Sequence, residues 1–185
     1  MDWYILKGML RKAVDYGSNR GADYIEIRAL KSFKTMLTTK DGTVEGAKEG
    51  TEYGSAIRVL VDGAWGFVSL GKMDKLLKAV DEAIELAKAS SFHVKVPVKL
   101  AEVKAIEDRV EIKSGRSPRD VSMEEKIGDA LAIDRAVLEY DKRIKSCTIS
   151  YLDVTGTSYF VNSDGADIEQ DKRYVWSRTL ASARE

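Results

Sequence analysis

The sequence has few of the residues from which metal and nucleophilic sites are usually built, since its 185 residues include one histidine and one cysteine. A single cysteine, Cys147, excludes an intramolecular disulfide and is typical of a protein in a reducing compartment. A catalytic zinc site takes three protein ligands, and His93 and Cys147 fall on different predicted elements. The sequence therefore predicts no metal site, with His93 as a surface or linker residue and Cys147 as a small core residue.

A surplus of one charge is also absent, because 30 Lys and Arg residues are balanced by 30 Asp and Glu residues. A protein that binds the phosphate backbone of nucleic acids is expected to be basic. No apolar run reaches the length of a membrane span, and the first residues lack the basic and apolar segments of a signal peptide. These absences predict a cytoplasmic protein that binds neither nucleic acid nor membrane.

The common catalytic motifs are missing as well. The sequence contains no Gly-x-Ser-x-Gly elbow, no Walker pattern and no Gly-x-Gly-x-x-Gly after a predicted strand. Glu124 and Glu125 are adjacent carboxylates, but acidic residues at the start of a helix are explained by the helix dipole. The same effect explains the basic run at residues 142–145, at a helix end. The sequence thus predicts no catalytic, cofactor-binding or metal-binding residue.

The most informative stretch that is present spans residues 58–69. Two apolar, β-prone runs flank an Asp-Gly pair at positions 62–63, which is the strongest short-range signal for a β-hairpin. Trp65 and Phe67 share a face and are predicted to fill the interior, while Gly66 between them marks a bulge or a closely approached backbone. The residues of the first strand predicted to face the core are Ile57, Val59 and Val61.

Helical periodicity predicts three amphipathic helices. They span residues 2–20, about 74–90 and about 122–140. Asp74 is the predicted N-cap of the second helix, and Ser122 with Glu125 forms a predicted capping box on the third. The first helix is predicted to bury Ile5, Leu6, Met9, Leu10, Ala13 and Val14. The third is predicted to bury Ile127, Ala130, Leu131, Val137 and Leu138.

Alternating patterns predict the strands, which are separated by turn residues. The predicted segments are 24–30, 34–39, 43–48, the hairpin 58–69, 144–153, 157–162 and about 166–176. Turns are expected at the Asp-Gly pair of positions 41–42, at Gly156 and at positions 163–165. The loosely patterned residues 91–121 are interpreted as a connector with one extended segment.

The order of these elements repeats along the chain. A helix, two strands, an Asp-Gly turn and a further strand occur in residues 2–49 and again in residues 122–176, without a repeat in residue identity. The pattern predicts an α+β fold in which two related helix-plus-antiparallel-strand halves pack into one domain. The halves are placed at about residues 1–90 and 122–185, joined by the connector.

Several segments in this order resemble one known family. They are residues 21–28, 40–45, 54–67, the alanine-rich second helix at 79–89, residues 118–122 and residues 160–170. Together they are similar to the N-terminal domain of the TldD/PmbA (or TldD/TldE) proteins over nearly the whole chain. The resemblance implies a zinc metallopeptidase that cleaves loosely structured peptides, with an older label as a modulator of DNA gyrase.

The resemblance also implies what this chain lacks. The family's metal motif, a His-Glu-x-x-x-His helix with a later cysteine, belongs to a C-terminal half that this sequence does not contain. We therefore expect a fragment or truncated product that binds no zinc itself, with zinc in the missing half, and no family catalytic residue is carried over to this chain. Family subunits form dimers, so a homo- or heterodimer with a TldD- or PmbA-type subunit is expected.

Three functional hypotheses remain open. In the first, the chain is the scaffold domain of such a peptidase, which walls one side of the peptide cleft, supplies part of the dimer surface and holds an extended peptide by strand addition. In the second, it is a stand-alone peptide- or protein-binding module without peptidase activity. The third, a nucleic-acid or gyrase-directed factor, is opposed by the zero net charge.

Overall fold

The structure is a computed structural model that describes residues 3–113 and 115–185, with side chains from Leu6 onward. Ile5, one of the residues predicted to be buried in the first helix, lies outside the described side chains. The helices are α1 Trp3–Asn19, α2 Leu76–Ser91 and α3 Met123–Tyr140. The strands are β1 Tyr24–Lys40, β2 Thr43–Val61, β3 Ala64–Leu70, β4 Glu107–Val110, β5 Ile144–Asn162 and β6 Asp167–Ala183.

The strands form a mixed, mostly antiparallel sheet in the order β3-β2-β1-β5-β6-β4. β2 and β3 pair antiparallel, whereas the short β4 pairs parallel with β6. A helix followed by a long hairpin occurs twice, as α1-β1-β2 and as α3-β5-β6. The predicted α+β class and the duplicated element order are confirmed, and β4 is the extended segment predicted in the connector.

The long strands are continuous where the sequence predicted interruptions. β1, β2 and β5 run for 17, 19 and 19 residues, so the predicted turn at Gly156 and the break after residue 48 are wrong. Residues 43–53 are exposed throughout, and β2 therefore needs no apolar alternation there. Hydrogen bonding to a neighbouring strand maintains the extended backbone without that pattern. The Asp-Gly turns at positions 41–42 and 62–63 are confirmed, with positive φ at all four residues.

The chain divides into two compact units that are discontinuous in sequence, since the long strands contribute segments to both. Unit 1 contains the residues up to Lys31, Tyr53–Glu111 and Thr157–Gln170. Unit 2 contains Ser32–Glu52, Ile112–Gly156 and Asp171–Glu185. The predicted placement of the halves at residues 1–90 and 122–185 stays a prediction.

The core of unit 1 lies between its strands and the helices α1 and α2. The predicted inward residues of β2, Ile57, Val59 and Val61, are buried in it. A Cβ on Gly66 would lie 1.9 Å from the Ala83 carbonyl oxygen, so the backbone of β3 is in direct contact with α2 and the predicted close approach is confirmed. Phe67, in contrast, is 56% exposed. The prediction that the hairpin aromatics fill the interior is wrong, because their face of the sheet points away from the helices.

Unit 2 has a small apolar core. It consists of Leu37, Ala130, Cys147 and Ile149, with partly buried residues around it. The buried face of α3 is formed by Lys126, Ala130 and Asp134. Of the residues predicted to be buried in α3 only Ala130 is fully buried, so the prediction of a wholly apolar buried face is wrong. The prediction that Cys147 is a core residue is confirmed.

The helix caps were predicted with mixed success. Asp74 lies in a 3₁₀ turn, and the N-cap of α2 is Lys75, whose side chain makes no capping bond. Ser122 does cap α3, because its hydroxyl accepts from the Glu125 N–H at 3.1 Å. The Glu125 carboxylate instead binds Arg116, which lowers the pKa of Glu125. A reciprocal capping box is found at Ser117 and Asp120. None of the described helices is long and apolar enough to span a bilayer.

Candidate functional site

The two strongest metal donors of the sequence lie in different units. His93 is exposed just beyond the end of α2 in unit 1, whereas Cys147 is buried in β5 in unit 2. Among residues 3–113 and 115–185, no three His, Cys, Asp or Glu side chains are grouped so that they could hold a metal ion. The zinc that the resemblance implies therefore does not fit the described residues. The prediction that zinc is bound by the C-terminal half of a longer protein stays a prediction.

Cys147 is also unsuited to act as a nucleophile. Its side chain is inaccessible, and burial together with the neighbouring Asp134 raises the pKa of the Cys147 thiol to about 11. Asp134 accepts a hydrogen bond from the Gly42 N–H at 2.7 Å, which ties the turn between β1 and β2 to α3. A thiolate is the reactive form of cysteine, so this environment suppresses reactivity.

We expect Cys147 in the folded chain to react with Ellman's reagent at pH 7 on the order of 100-fold more slowly than in the unfolded chain, because the raised pKa depletes the thiolate. Inaccessibility slows the reaction further. The same protein in guanidinium chloride is the control, since it has the same single thiol without the fold. Equal rates in the two conditions would show that Cys147 is accessible.

Two strand edges in unit 2 lack a strand neighbour within the described sheet. β3 pairs with Ser55–Val61 of β2, which leaves the outer edge of residues 43–52 open. β4 pairs with residues 167–170 of β6, and no described strand pairs with the outer edge of residues 174–183. An open edge presents backbone N–H and C=O groups that can pair with another extended chain.

A groove of about 380 Å³ lies next to the open part of β6 in unit 2. Its apolar lining comes from α3, the turn before it and β5, and Val175 and Ser177 of β6 also face it. The apolar lining residues are Pro118, Val121, Ala130, Ile133, Ile149 and Val175. A groove of this kind can take an apolar side chain of a chain that lies along the β6 edge.

The polar part of the groove lining is held by a buried ion pair. The Lys126 ammonium lies 2.7 Å from Asp153 Oδ2, and these side chains are 4% and 1% exposed. Lys126 also donates to Thr35 Oγ1 at 3.0 Å, and the Tyr151 hydroxyl donates to Asp153 Oδ2 at 2.7 Å. Burial and the Asp153 carboxylate raise the pKa of Tyr151. This network joins α3 to strands β1 and β5, and so positions Lys126 and Tyr151 at the groove.

Sequence reasoning missed this network, because a lysine in the first turns of a helix normally faces solvent. The available signal was the spacing of Lys126, Ala130 and Asp134, which places them on one helical face. The apolar residues at neighbouring positions suggested that a different face of α3 pointed into the core. Asp153 was predicted as the last residue of a strand, where a carboxylate is usually solvated.

The geometry defines a class of protein: an α+β domain with open strand edges and a lined groove, and without a metal site among its described residues. The chain belongs to the PmbA/TldD family. The profile of the PmbA/TldA metallopeptidase domain 1 matches residues 25–87, and that of the PmbA/TldA metallopeptidase central domain matches residues 116–185. The resemblance inferred from the sequence is thereby confirmed.

Two archaeal relatives share substantial sequence identity with the chain. The metalloprotease MJ0996 of Methanocaldococcus jannaschii is 34% identical over 149 residues, which is 80% of this chain and 33% of that protein. A metalloprotease of Methanothermobacter thermautotrophicus is 32% identical over 159 residues, 83% of this chain and 32% of that protein. The chain thus spans about a third of the length of these curated relatives.

Solved structures share the fold. The protein TM0727 of Thermotoga maritima, named as a proposed modulator of a DNA gyrase, superposes with a TM-score of 0.77 at 18% identity, over 97% of this chain and 40% of that one. TldE from Thermococcus kodakarensis gives a TM-score of 0.68 at 16% identity, over 96% of this chain and 40% of that one. At these identities the likeness concerns the fold.

Proposed function

We propose that this chain is the non-catalytic scaffold domain of a TldD/PmbA-type metallopeptidase that cleaves loosely structured peptides. The observation that carries the proposal is the open edge of β6 beside a lined groove. In this arrangement the domain forms one wall of the peptide cleft. The zinc and the catalytic residues belong to a C-terminal peptidase domain outside this chain.

Strand addition explains how such a wall would select its substrates. A loosely structured peptide has free backbone donors and acceptors, whereas a folded protein has already paired them. Pairing along residues 174–183 of β6 would hold the peptide through its main chain and accept many sequences. Alternate side chains of the peptide would then point toward the groove and away from it, with Val175 and Ser177 on the groove side.

The open edge of β2 is the surface that we assign to dimer contacts. Residues 43–52 of this strand are exposed on both faces, and its outer edge has no partner in the described sheet. The partner at this edge would be a second TldD- or PmbA-type subunit, in a homo- or heterodimer. The buried unpaired thiol of Cys147 supports a reducing, cytoplasmic location.

Peptide binding can be tested with the purified chain by hydrogen exchange. An unstructured, apolar decapeptide is expected to slow amide exchange in residues 174–183 of β6, because the outward N–H groups become hydrogen bonded. The matched control is the same peptide N-methylated at every residue, which has no backbone N–H to donate along either edge. Protection by both peptides, or by neither, would contradict strand addition at β6.

The same purified chain can be used to test that the domain has no peptidase activity of its own. Supplied with zinc, the chain alone is expected to leave casein intact, and metal analysis after dialysis should find no stoichiometric zinc. A metal-dependent digestion of casein by this chain would contradict the proposal. A stand-alone binding module would bind the peptide equally well, but would not restore activity to a separately produced peptidase domain of the family.

A further inference from the structure

The face of the unit 1 sheet that points away from α1 and α2 carries two arginines beside one buried carboxylate. Arg58 Nη1 donates to Glu26 Oε1 at 3.2 Å, and Arg28 Nε lies 3.6 Å from the same oxygen. The Tyr24 hydroxyl donates to Glu26 Oε2 at 2.9 Å and accepts from Asn162 Nδ2 at 3.2 Å. Both guanidinium groups therefore lie close to the same carboxylate oxygen of Glu26.

Aromatic rings fix the orientation of both arginines. The Arg58 guanidinium lies 4.2 Å from the ring centre of Trp65, and that of Arg28 lies 4.6 Å from the ring centre of Phe160. Trp65 is itself held by an edge-to-face contact with Tyr24, at 6.0 Å between ring centres. Stacking restricts the arginine rotamers before any ligand arrives, which lowers the entropy cost of binding.

The Glu26 carboxylate engages only some of the hydrogen-bond donors of the two arginines on this face. Two guanidinium groups share the single carboxylate of Glu26, and at 3.6 Å the Arg28 contact is an ion pair beyond hydrogen-bonding distance. Stacking covers a face of each guanidinium group and leaves the N–H groups at its edge accessible. The side chains of Arg28 and Arg58 are 65% and 43% exposed. The pair is thus pre-oriented and accessible, with guanidinium N–H groups that Glu26 does not engage.

We propose that Arg28 and Arg58 form a binding site for a carboxylate group. The fork of guanidinium N–H groups matches the two oxygens of a carboxylate. Glu26 and the nearby Asp164, which acts electrostatically on Tyr24, disfavour a dianion such as phosphate. The carboxylate is an acidic side chain of a peptide, the C-terminus of a peptide, or a free carboxylic acid.

The site is tested by NMR titration of the isotope-labelled chain, with the Arg Nε–Hε and Trp65 indole signals as reporters. One probe is a blocked pentapeptide with a central Glu and alanine elsewhere, and its control has Gln at that position. We expect the Glu peptide to bind about 10-fold more tightly than the Gln peptide. Equal binding of both peptides, or no saturable shift of these signals, would overturn the proposal.

Further probes distinguish the sources of the carboxylate. The Gln peptide with a free C-terminus reports on a terminal carboxylate, and acetate reports on a free acid. Each would support the site by shifting the same signals in a saturable way. The probe that binds most tightly identifies the kind of carboxylate that the site prefers. Inorganic phosphate is expected to bind more weakly than acetate, and tighter binding of phosphate would overturn the preference for a single negative charge.

Two variants and a matched control separate binding from structural support. Arg28→Gln is expected to weaken binding of the Glu peptide about 10-fold, whereas Arg20→Gln should change its affinity less than about 2-fold. Arg20 is a fair control because it also stacks on an aromatic ring, Tyr16, and pairs with a carboxylate, Asp81. Glu26→Gln removes the competing charge and should tighten binding; unchanged or weaker binding there would overturn the proposal.

Discussion

Replacing Lys126 with methionine is expected to lower the free energy of unfolding by about 3–5 kcal/mol. The ammonium group of Lys126 lies 2.7 Å from Asp153, with both side chains buried. Its removal leaves the Asp153 carboxylate with only the Tyr151 hydroxyl on Oδ2, while Oδ1 has no hydrogen-bond partner in the described structure. A buried charge without its counterion is the source of the loss. Denaturation in guanidinium chloride, followed by circular dichroism and tryptophan fluorescence, measures it.

Two companion variants test this explanation. Lys78→Met removes a lysine from an exposed ion pair with Glu82 on α2, and should change stability by less than about 0.5 kcal/mol. In the double variant Lys126→Met/Asp153→Asn the orphaned charge is gone and the Tyr151 hydroxyl keeps an acceptor, so at least half of the loss should be recovered. If the double variant is as unstable as Lys126→Met, the loss of stability comes from packing and not from the unpaired charge.

The second large effect is expected for Gly66→Ala, which should destabilise the fold by about 3 kcal/mol. The added Cβ would lie 1.9 Å from the Ala83 oxygen and 2.7 Å from the Ala87 nitrogen. Both are backbone atoms of α2, and a helix backbone cannot rotate away as a side chain can. Relief of the clash requires α2 to move from the sheet, which loosens the contacts of its buried residues. Thermal or denaturant unfolding measures the change.

Gly54→Ala is the matched control for this prediction. Gly54 also lies in a strand, β2, but no atom lies within 4 Å of a Cβ built there. Alanine has less conformational freedom than glycine in the unfolded chain, so Gly54→Ala should be neutral or stabilising by up to about 1 kcal/mol. Similar losses in the two variants would mean that the close approach of α2 to Gly66 is not the cause.

Local features of the fold were predictable from the sequence because they depend on neighbours along the chain. The Asp-Gly pairs identified their turns, since Asp41 and Asp62 have φ of 49° and each is followed by a glycine with positive φ. The third helix was predicted at residues 122–140 and is found at Met123–Tyr140. The resemblance to the PmbA/TldD family rested on the order of such segments and was confirmed by the profile matches.

Burial was predicted less well, because it depends on what faces each residue from distant parts of the chain. The aromatic residues of the β2-β3 hairpin were expected in the core, yet the helices cover the opposite face and Trp65 instead stacks with Arg58. On α3, the buried Lys126 contacts residues of β1 and β5, and the buried Asp134 contacts Gly42 of the turn between β1 and β2. All of these partners are distant in sequence. The open edges of β2 and β6 likewise depend on how far β3 and β4 extend along them.

The sequence by itself determined the α+β class, the helix and hairpin order and the family, since these follow from local periodicity, turn chemistry and the succession of motifs. Only the tertiary structure decided which faces are covered, which strand edges are open and which charges meet. These outcomes depend on contacts between segments separated by about 30 to 140 residues. Burial and electrostatic energies act through space, so a one-dimensional pattern does not specify them.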